Sequence, residues 1–172
     1  MKLALNNLNE ALTYHLEGMY DGEKKLQKAL PHLFSYATSS VLKSEIKKYL
    51  NSVKDKRLKL KRVFSYLLAG PFGRKNKVID KILKDGSKIL ECTRANELRD
   101  ALLIGHLQGL VHYKISSYGI AKDFASRLDL QNVTDLLQEV LEWEKETDKM
   151  LTKIATKEVN KKAIGSAVTI EK

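Results

Sequence analysis

Apolar residues recur along this chain at steps of three and four, the spacing of one face of an α-helix. The first such segment spans residues 5–37, with its ladder at Leu5, Leu8, Leu12, Leu16, Met19, Leu26 and Leu30. Pro31 lies inside the segment, and we expect it to kink the helix rather than end it, because the apolar pattern continues through Leu33 and Phe34. The pattern therefore predicts one long first helix.

Three more long helices follow from the same periodicity. The second begins at the start signal Ser39-Ser40 and runs to about Leu67, and the third and fourth span residues 96–128 and 132–159. The segment Ala69-Gly70-Pro71-Phe72-Gly73 breaks the chain, and a shorter amphipathic helix over residues 75–90 lies in the connection after it. Periodicity is lost after Lys161, so we predict a bundle over residues 1–163 and a loose C-terminal tail over 164–172.

Four long helices with one long crossover describe an all-α, ferritin-like four-helix bundle, with a short extra helix between helices two and three. Charged residues interrupt its apolar seams. Glu23 fills a seam position of the first helix, Glu144 and Asp148 fall on the inner face of the fourth, and the second must pass through Lys56 or Arg57. A carboxylate on a buried seam costs several kcal/mol unless it is protonated, paired or bound to a metal.

The net charge of +10 is concentrated in the middle of the chain, since residues 41–90 contain 15 Lys and Arg against 4 Asp and Glu. One basic face of the second helix consists of Lys47, Lys54, Arg57 and Lys61, and the connection adds Lys75, Lys77, Lys81, Lys84 and Lys88. Such patches attract polyanions. No interleaved aromatic residues or reading motif accompany them, so the sequence favours a solvated or subunit-facing surface, with nucleic-acid binding as the alternative.

Several classes of function find no support in the sequence. The single cysteine, Cys92, excludes an internal disulfide, and no stretch has the apolar length of a signal peptide or a membrane span. The four histidines are not spaced at three or four residues from one another, so a histidine metal site is not indicated. Neither a hydrolase triad around His112 nor a Gly-rich phosphate loop is present. We expect a cytoplasmic protein without membrane partners.

Three segments resemble the YciE/YciF family of ferritin-like proteins. They are Tyr20-Asp21-Gly22-Glu23 through Pro31, then Leu98-Arg99-Asp100 through Ile104 with His112-Tyr113 and Tyr118-Gly119, and finally Glu142-Trp143-Glu144 through Asp148 with Val159-Asn160-Lys161-Lys162-Ala163. The resemblance covers residues 8–163 and implies a bacterial ferritin-like bundle, often a homodimer, that is associated with stress responses and holds a di-metal centre.

The chain departs from that family at the expected ligands. Ser52 stands where the family usually has an acid on the second helix, and Lys56 where it has a polar, often ligand-capable residue. The family pattern Glu-His-Tyr-Glu of the third helix is here Val111-His112-Tyr113-Lys114. Glu23, Glu144 and Asp148 remain as residual ligands. We therefore expect Lys56, and in part Lys114, to compensate their charge, with Lys56 paired to one of the three acids in place of a metal.

The sequence thus favours a bundle with a degenerate metal-binding site, no cofactor and a structural or interaction role rather than an enzymatic one. The first alternative is a functional di-iron or di-manganese carboxylate protein that binds or oxidises metal through the residual site. The second alternative is a basic protein associated with nucleic acid.

Overall fold

The computed structural model describes residues 4–165 of the chain. Its helices are α1 (Leu8–Tyr36), α2 (Ser40–Tyr66), α3 (Lys77–Cys92), α4 (Asn96–Arg127), α5 (Gln131–Ile154) and the short α6 (Asn160–Gly165). The residues described contain no β-strand. None of the described helices has the length and apolar composition that crossing a membrane requires.

Side-chain caps mark where the first three helices begin. The Asn7 side chain accepts a hydrogen bond from the amide of Glu10, Ser39 Oγ accepts one from Leu42, and Asn76 Oδ1 accepts one from Ile79. Each cap satisfies one of the amide groups that the first turn of a helix leaves without a partner. The predicted start signal of the second helix is confirmed.

The C-terminal helix differs from its predicted course. The periodicity predicts one helix to residue 159, whereas α5 ends at Ile154 and Ala155–Val159 form a π-helical turn before α6. Val159, at the end of this π-helical turn, remains buried, as does Ala155 at its start. Ile164 and Gly165, predicted as part of the tail, close α6, and the rest of that tail lies outside the described residues.

The four long helices form a ring in which α1 packs on α2 and α4, and α5 packs on the same two helices. The crossover helix α3 lies outside this ring, against α1 and α4. Helix α1 continues through Pro31, as predicted. The predicted all-α four-helix bundle with a short extra helix in its crossover is confirmed.

Close approaches of backbone hold α3 to this ring. A Cβ on Gly22 of α1 would lie 2.6 Å from Ile79 Cδ1, and one on Gly86 of α3 would lie 1.9 Å from the ring of His106. Only a residue without a side chain leaves this room. The Asp21 carboxylate accepts a hydrogen bond of 2.8 Å from the amide of Asn76, which ties the start of α3 to α1.

The apolar interior consists of two clusters, one at each end of the bundle. One is built around residues such as Leu30, Val53 and Leu107, and the other around Leu12, Val63 and Leu137. Charged residues of all four long helices occupy the level between them.

Candidate functional site

One ionisable side chain from each long helix meets the others at the centre of the bundle. Glu23 comes from α1, Lys56 from α2, Lys114 from α4 and Glu144 from α5, and each is 0% exposed. We call these four residues the central cluster. Burial of four formal charges is tolerated only when the charges compensate one another.

The central cluster is held by short ion pairs. Glu144 Oε1 lies 2.5 Å from both Lys56 Nζ and Lys114 Nζ. The Lys114 ammonium also lies 2.9 Å from Glu23 Oε1, so it bridges the two carboxylates. Around the ring of helices acid and base alternate, because the acids lie on α1 and α5 and the lysines on α2 and α4. Each charge therefore has opposite charges on the neighbouring helices.

Two buried tyrosines complete the cluster. The Tyr118 hydroxyl donates a hydrogen bond of 2.6 Å to Glu23 Oε1. The Tyr49 hydroxyl accepts one of 3.1 Å from Lys114 and donates one of 3.3 Å to Glu144 Oε2. Both ammonium groups also lie near the Tyr49 ring, 4.8 Å and 5.0 Å from its centroid, where its negative face attracts cations.

Nearby opposite charges determine the direction in which the pKa values of Glu144 and Lys114 are shifted. Burial alone would raise the pKa of Glu144, but Lys114 and Lys56 outweigh it and hold that pKa below its usual value. Burial would likewise lower the pKa of Lys114, but Glu144 and Glu23 raise it well above the ordinary lysine value. The Lys114–Glu144 pair therefore stays ionised over a wide pH range.

The other groups respond mainly to burial. The pKa of Lys56 is lowered by its burial and by the neighbouring Lys114 charge, which the attraction of Glu144 and Glu23 only partly offsets. Burial raises the pKa of Tyr49 and that of Tyr118 well above the usual tyrosine value, and the carboxylates beside them act in the same direction. Both phenols are thus neutral hydrogen-bonding groups near pH 7.

Asp148, the third predicted acid, is not part of this cluster. It lies at the junction of α4 and α5, where its Oδ1 is 2.9 Å from His112 Nε2 and 3.1 Å from Gln108 Nε2. Four residues correspond to slightly more than one helical turn, so Asp148 is rotated about 40° from Glu144 toward α4. That rotation moves its side chain from the bundle centre to a partly exposed edge.

The other positions at which the family resemblance implies metal ligands carry no carboxylate. The Ser52 hydroxyl donates to the Tyr49 backbone carbonyl at 2.8 Å, and Val111 is a buried member of the apolar core. Within residues 4–165, no group of three or more His, Cys, Asp or Glu side chains is arranged to hold a metal ion. The two buried carboxylates that remain are neutralised by lysines, so the residues present do not fit a di-metal centre.

A surface groove of about 360 Å³ between α2 and α5 adjoins the cluster. Its lining includes Tyr49, Ser52 and Trp143, but no member of the central cluster. Trp143 is partly exposed, and the Lys59 ammonium lies 5.0 Å from its ring centroid. Tyr49 therefore stands between the groove and the ion pairs.

The predicted basic face of α2 is only partly a free surface. Lys47, Lys54 and Lys61 are exposed, as a solvated face requires. Arg57 instead turns toward α1, where its guanidinium contacts the Gln27 side chain and lies 3.4 Å from the Tyr20 hydroxyl. Arg57 therefore belongs to the contact between α1 and α2 rather than to a solvated basic face.

Sequence reasoning did not assign Tyr49 and Tyr118 to the site. Both fall on apolar seams of their helices, where tyrosine is ordinarily a packing residue. The available signal was indirect, since a seam that holds buried carboxylates or lysines needs hydroxyl groups nearby to complete their hydrogen bonds.

Two partly buried histidines predict an acid-sensitive stability. Burial lowers the pKa of His106, and it lowers that of His15 despite a contact of 3.0 Å with the Ser117 carbonyl. The unfolded chain then takes up protons first as the pH falls below about 6.5. We expect the free energy of unfolding to decrease between pH 7 and pH 5, as measured by urea denaturation. The variant His15→Gln/His106→Gln should show a smaller decrease, and an equal decrease in both proteins would contradict this assignment.

Comparisons with known proteins agree with this architecture. The chain is 29% identical to Protein YciF of Escherichia coli over 175 residues, which cover 95% of this chain and 99% of that protein. The crystal structure of the E. coli stress protein YciF matches with a TM-score of 0.87 and 28% identity, over 91% of this chain and 99% of that one. YcfI of Rhodopseudomonas palustris has the same fold, with a TM-score of 0.86 and 24% identity, over 88% and 97% of the two chains.

The model of one protein family, described as domain of unknown function DUF892, matches residues 7–164. This match includes all four long helices and every residue of the central cluster. The chain belongs to the DUF892 family and shares the ferritin-like fold of YciF.

Proposed function

We propose that the central cluster replaces a di-metal centre and that the protein has a non-catalytic, structural or interaction role. The observation that carries this proposal is the Lys114 ammonium, which lies within 2.9 Å of a carboxylate oxygen of both Glu23 and Glu144. A divalent cation bound by these oxygens would have to displace that ammonium. The displaced positive charge would then remain buried without a partner, which costs several kcal/mol.

The charge balance supports the same proposal. The central cluster contains two lysines and two glutamates, whereas a pair of divalent cations would add four positive charges to the same volume. Metal sites of this kind need several further carboxylates to offset that charge. Ser52 and Val111 supply none at the family positions on α2 and α4.

In this proposal the cluster specifies how the four helices are aligned. A shift of one helix by a turn would separate acid from base and leave buried charges uncompensated, so one alignment is favoured strongly over the others. The cellular role would follow that of the relative titled a stress protein. We accordingly propose a cytoplasmic, stress-associated bacterial protein that functions as a homodimer.

Metal titration tests this proposal. Fe²⁺ and Mn²⁺ are added anaerobically to the purified chain in a calorimeter, and metal content is measured independently after aerobic purification. We expect no stoichiometric binding and no change of the melting temperature on treatment with a chelator. As a positive comparison, Lys114→Glu restores a family acid and should be stabilised by added Mn²⁺, whereas the neutral control Lys114→Gln should not.

Tight binding of two metal ions by the unaltered chain would overturn the proposal. It would favour instead a functional di-iron or di-manganese protein with unusual ligands.

A further inference from the structure

Three neighbouring helices share a surface on which lysines have no acidic partners. These helices are α2, α1 and α3, since α1 packs against both of the others. We call this surface the basic face and define it by eight exposed residues: Lys24, Lys28, Lys47, Lys54, Lys61, Lys77, Lys84 and Lys88.

The contacts of α1 place two of these lysines at the middle of the face. Gln27 lies on the edge of α1 that contacts α2. Lys25 lies on the opposite edge, where its ammonium is 2.5 Å from Asp80 of α3. At 3.6 residues per turn, Lys24 and Lys28 point outward between these two edges. They therefore connect the lysines of α2 with those of α3.

Helix α2 adds a row of lysines on its exposed surface, beside the edge that contacts α1. Arg57 makes the contact with α1, and Lys54 and Lys61 are rotated from it by about 60° and 40° toward solvent. Lys47 follows in the same direction, one further step along the helix. All three lysines lie away from the side of α2 that packs on α5.

Helix α3 adds the third row. Its buried residues Ile79 and Leu90 face the bundle, so Lys77, Lys84 and Lys88 project from the opposite side. The acid nearest to α1, Asp80, is already paired with Lys25.

The charges of this face are uncompensated among the described residues. None of the eight lysines has an ion pair or a side-chain hydrogen bond within residues 4–165. Four exposed acids lie on α5, on the other side of the bundle: Asp135, Glu139, Glu142 and Glu146. On α3 the exposed Asp85 is paired with Lys81, and the exposed Glu91 accepts a hydrogen bond of 3.5 Å from the Tyr36 hydroxyl. A positively charged surface of this kind attracts polyanions. When its lysines neutralise phosphates, the counterions condensed on the polyanion are released, which favours binding.

The width of the basic face and its lack of aromatic residues favour one class of polyanion over others. Helices pack 8–10 Å apart, so three adjacent helices present lysines over a width of about 20 Å, comparable with that of a nucleic-acid duplex. The segments Lys24–Lys28, Lys54–Lys61 and Lys77–Lys88 contain no Phe, Tyr or Trp on which unpaired bases could stack. The exposed Phe72, near Lys24 at one end of the face, packs edge-on against Tyr20.

We propose that the basic face binds the phosphate backbone of double-stranded nucleic acid without reading its sequence. The lysines contact phosphates from three helices at once, and no element of the face projects as a reading helix into a groove. This inference does not depend on whether the central cluster binds metal.

Fluorescence anisotropy with a labelled random-sequence DNA duplex tests the proposal. We expect the affinity to fall by about three orders of magnitude or more between 50 and 200 mM salt, as for proteins that contact six or more phosphates. The variant Lys24→Gln/Lys28→Gln should bind about tenfold more weakly at 50 mM salt and reduce the slope of log affinity against log salt by about 2.

The matched control is Lys149→Gln/Lys153→Gln. It removes two exposed charges of α5 that have the same sequence spacing as Lys24 and Lys28. It should weaken duplex binding much less than the variant on the basic face. Equal weakening by both variants would overturn the proposal, because net charge alone would then explain binding. Unaltered binding by Lys24→Gln/Lys28→Gln, or tighter binding to single-stranded DNA or to anionic lipid vesicles than to the duplex, would overturn it as well.

Discussion

Replacing Lys114 by methionine is expected to lower the free energy of unfolding by about 3–5 kcal/mol. The ammonium of Lys114 contacts both buried carboxylates, at 2.9 Å and 2.5 Å. Without it Glu144 retains Lys56, whereas Glu23 retains only the Tyr118 hydroxyl and would be a buried charge without a counter-ion. Urea denaturation at pH 7 measures the loss.

Two variants separate charge compensation from loss of the lysine itself. Glu23→Gln/Lys114→Met removes one charge of each sign and should recover stability to within about 2 kcal/mol of the unaltered chain. Lys153→Met removes an exposed lysine of α5 and should change stability by no more than about 0.5 kcal/mol. If Lys114→Met alone cost less than about 1 kcal/mol, the ion pairs of the cluster would not govern the stability of the bundle.

Asp100→Ala is expected to destabilise the chain by about 3 kcal/mol. Asp100 is buried at the start of α4 and joins this helix to the turn between α1 and α2. Its carboxylate accepts hydrogen bonds of 2.7 Å and 2.8 Å from the amides of Thr38 and Ser39, and one of 2.6 Å from the Thr38 hydroxyl. Alanine would leave both amides without their acceptor in the place where α2 begins. Chemical denaturation and hydrogen exchange of these two amides measure the effect.

The conservative variant Asp100→Asn provides the comparison. It keeps one acceptor oxygen, so it should cost less than Asp100→Ala and restore part of the protection of the two amides. Asp123→Ala, at an exposed acid of the same helix, should be nearly neutral. Equal stability of Asp100→Ala and Asp123→Ala would contradict the capping role of Asp100.

The family-like segments of the sequence have largely structural roles in this chain. Asp100 holds the turn between α1 and α2, and Asp21 and Gly22 hold the start of α3. The Asn76 side-chain Nδ2 donates a hydrogen bond of 3.2 Å to the Tyr113 hydroxyl. These contacts do not require a metal.

The proposed loss of the metal centre and the proposed duplex binding concern different parts of the molecule. The central cluster is buried, whereas the basic face is exposed on the outer side of three helices. Failure of one proposal therefore leaves the other standing, and the two experiments have independent readouts.

Local sequence patterns were sufficient to predict the helices, the crossover and the presence of charge in the core. These features are local, because a spacing of three and four residues defines a helical face and cap or breaker residues define its ends. Glu23, Glu144 and Lys56 could be recognised for the same reason, as charged residues in otherwise apolar ladders. The π-helical turn Ala155–Val159 could not be recognised in the sequence, because such a turn has no distinct periodicity.

Which of these charged side chains contact one another depends on how the helices pack. Glu144 at the bundle centre and Asp148 at its edge differ by a rotation of only about 40°, so periodicity alone did not distinguish them. The gap in the apolar ladder between Val53 and Leu60 likewise left either Lys56 or Arg57 on the seam. The bridging position of Lys114 and the hydroxyl contacts of Tyr49 and Tyr118 depend on the order of helices around the ring. The basic face likewise exists only because α1 brings the lysines of α2 and α3 to its two sides, and such adjacency is a property of packing between segments distant in the sequence.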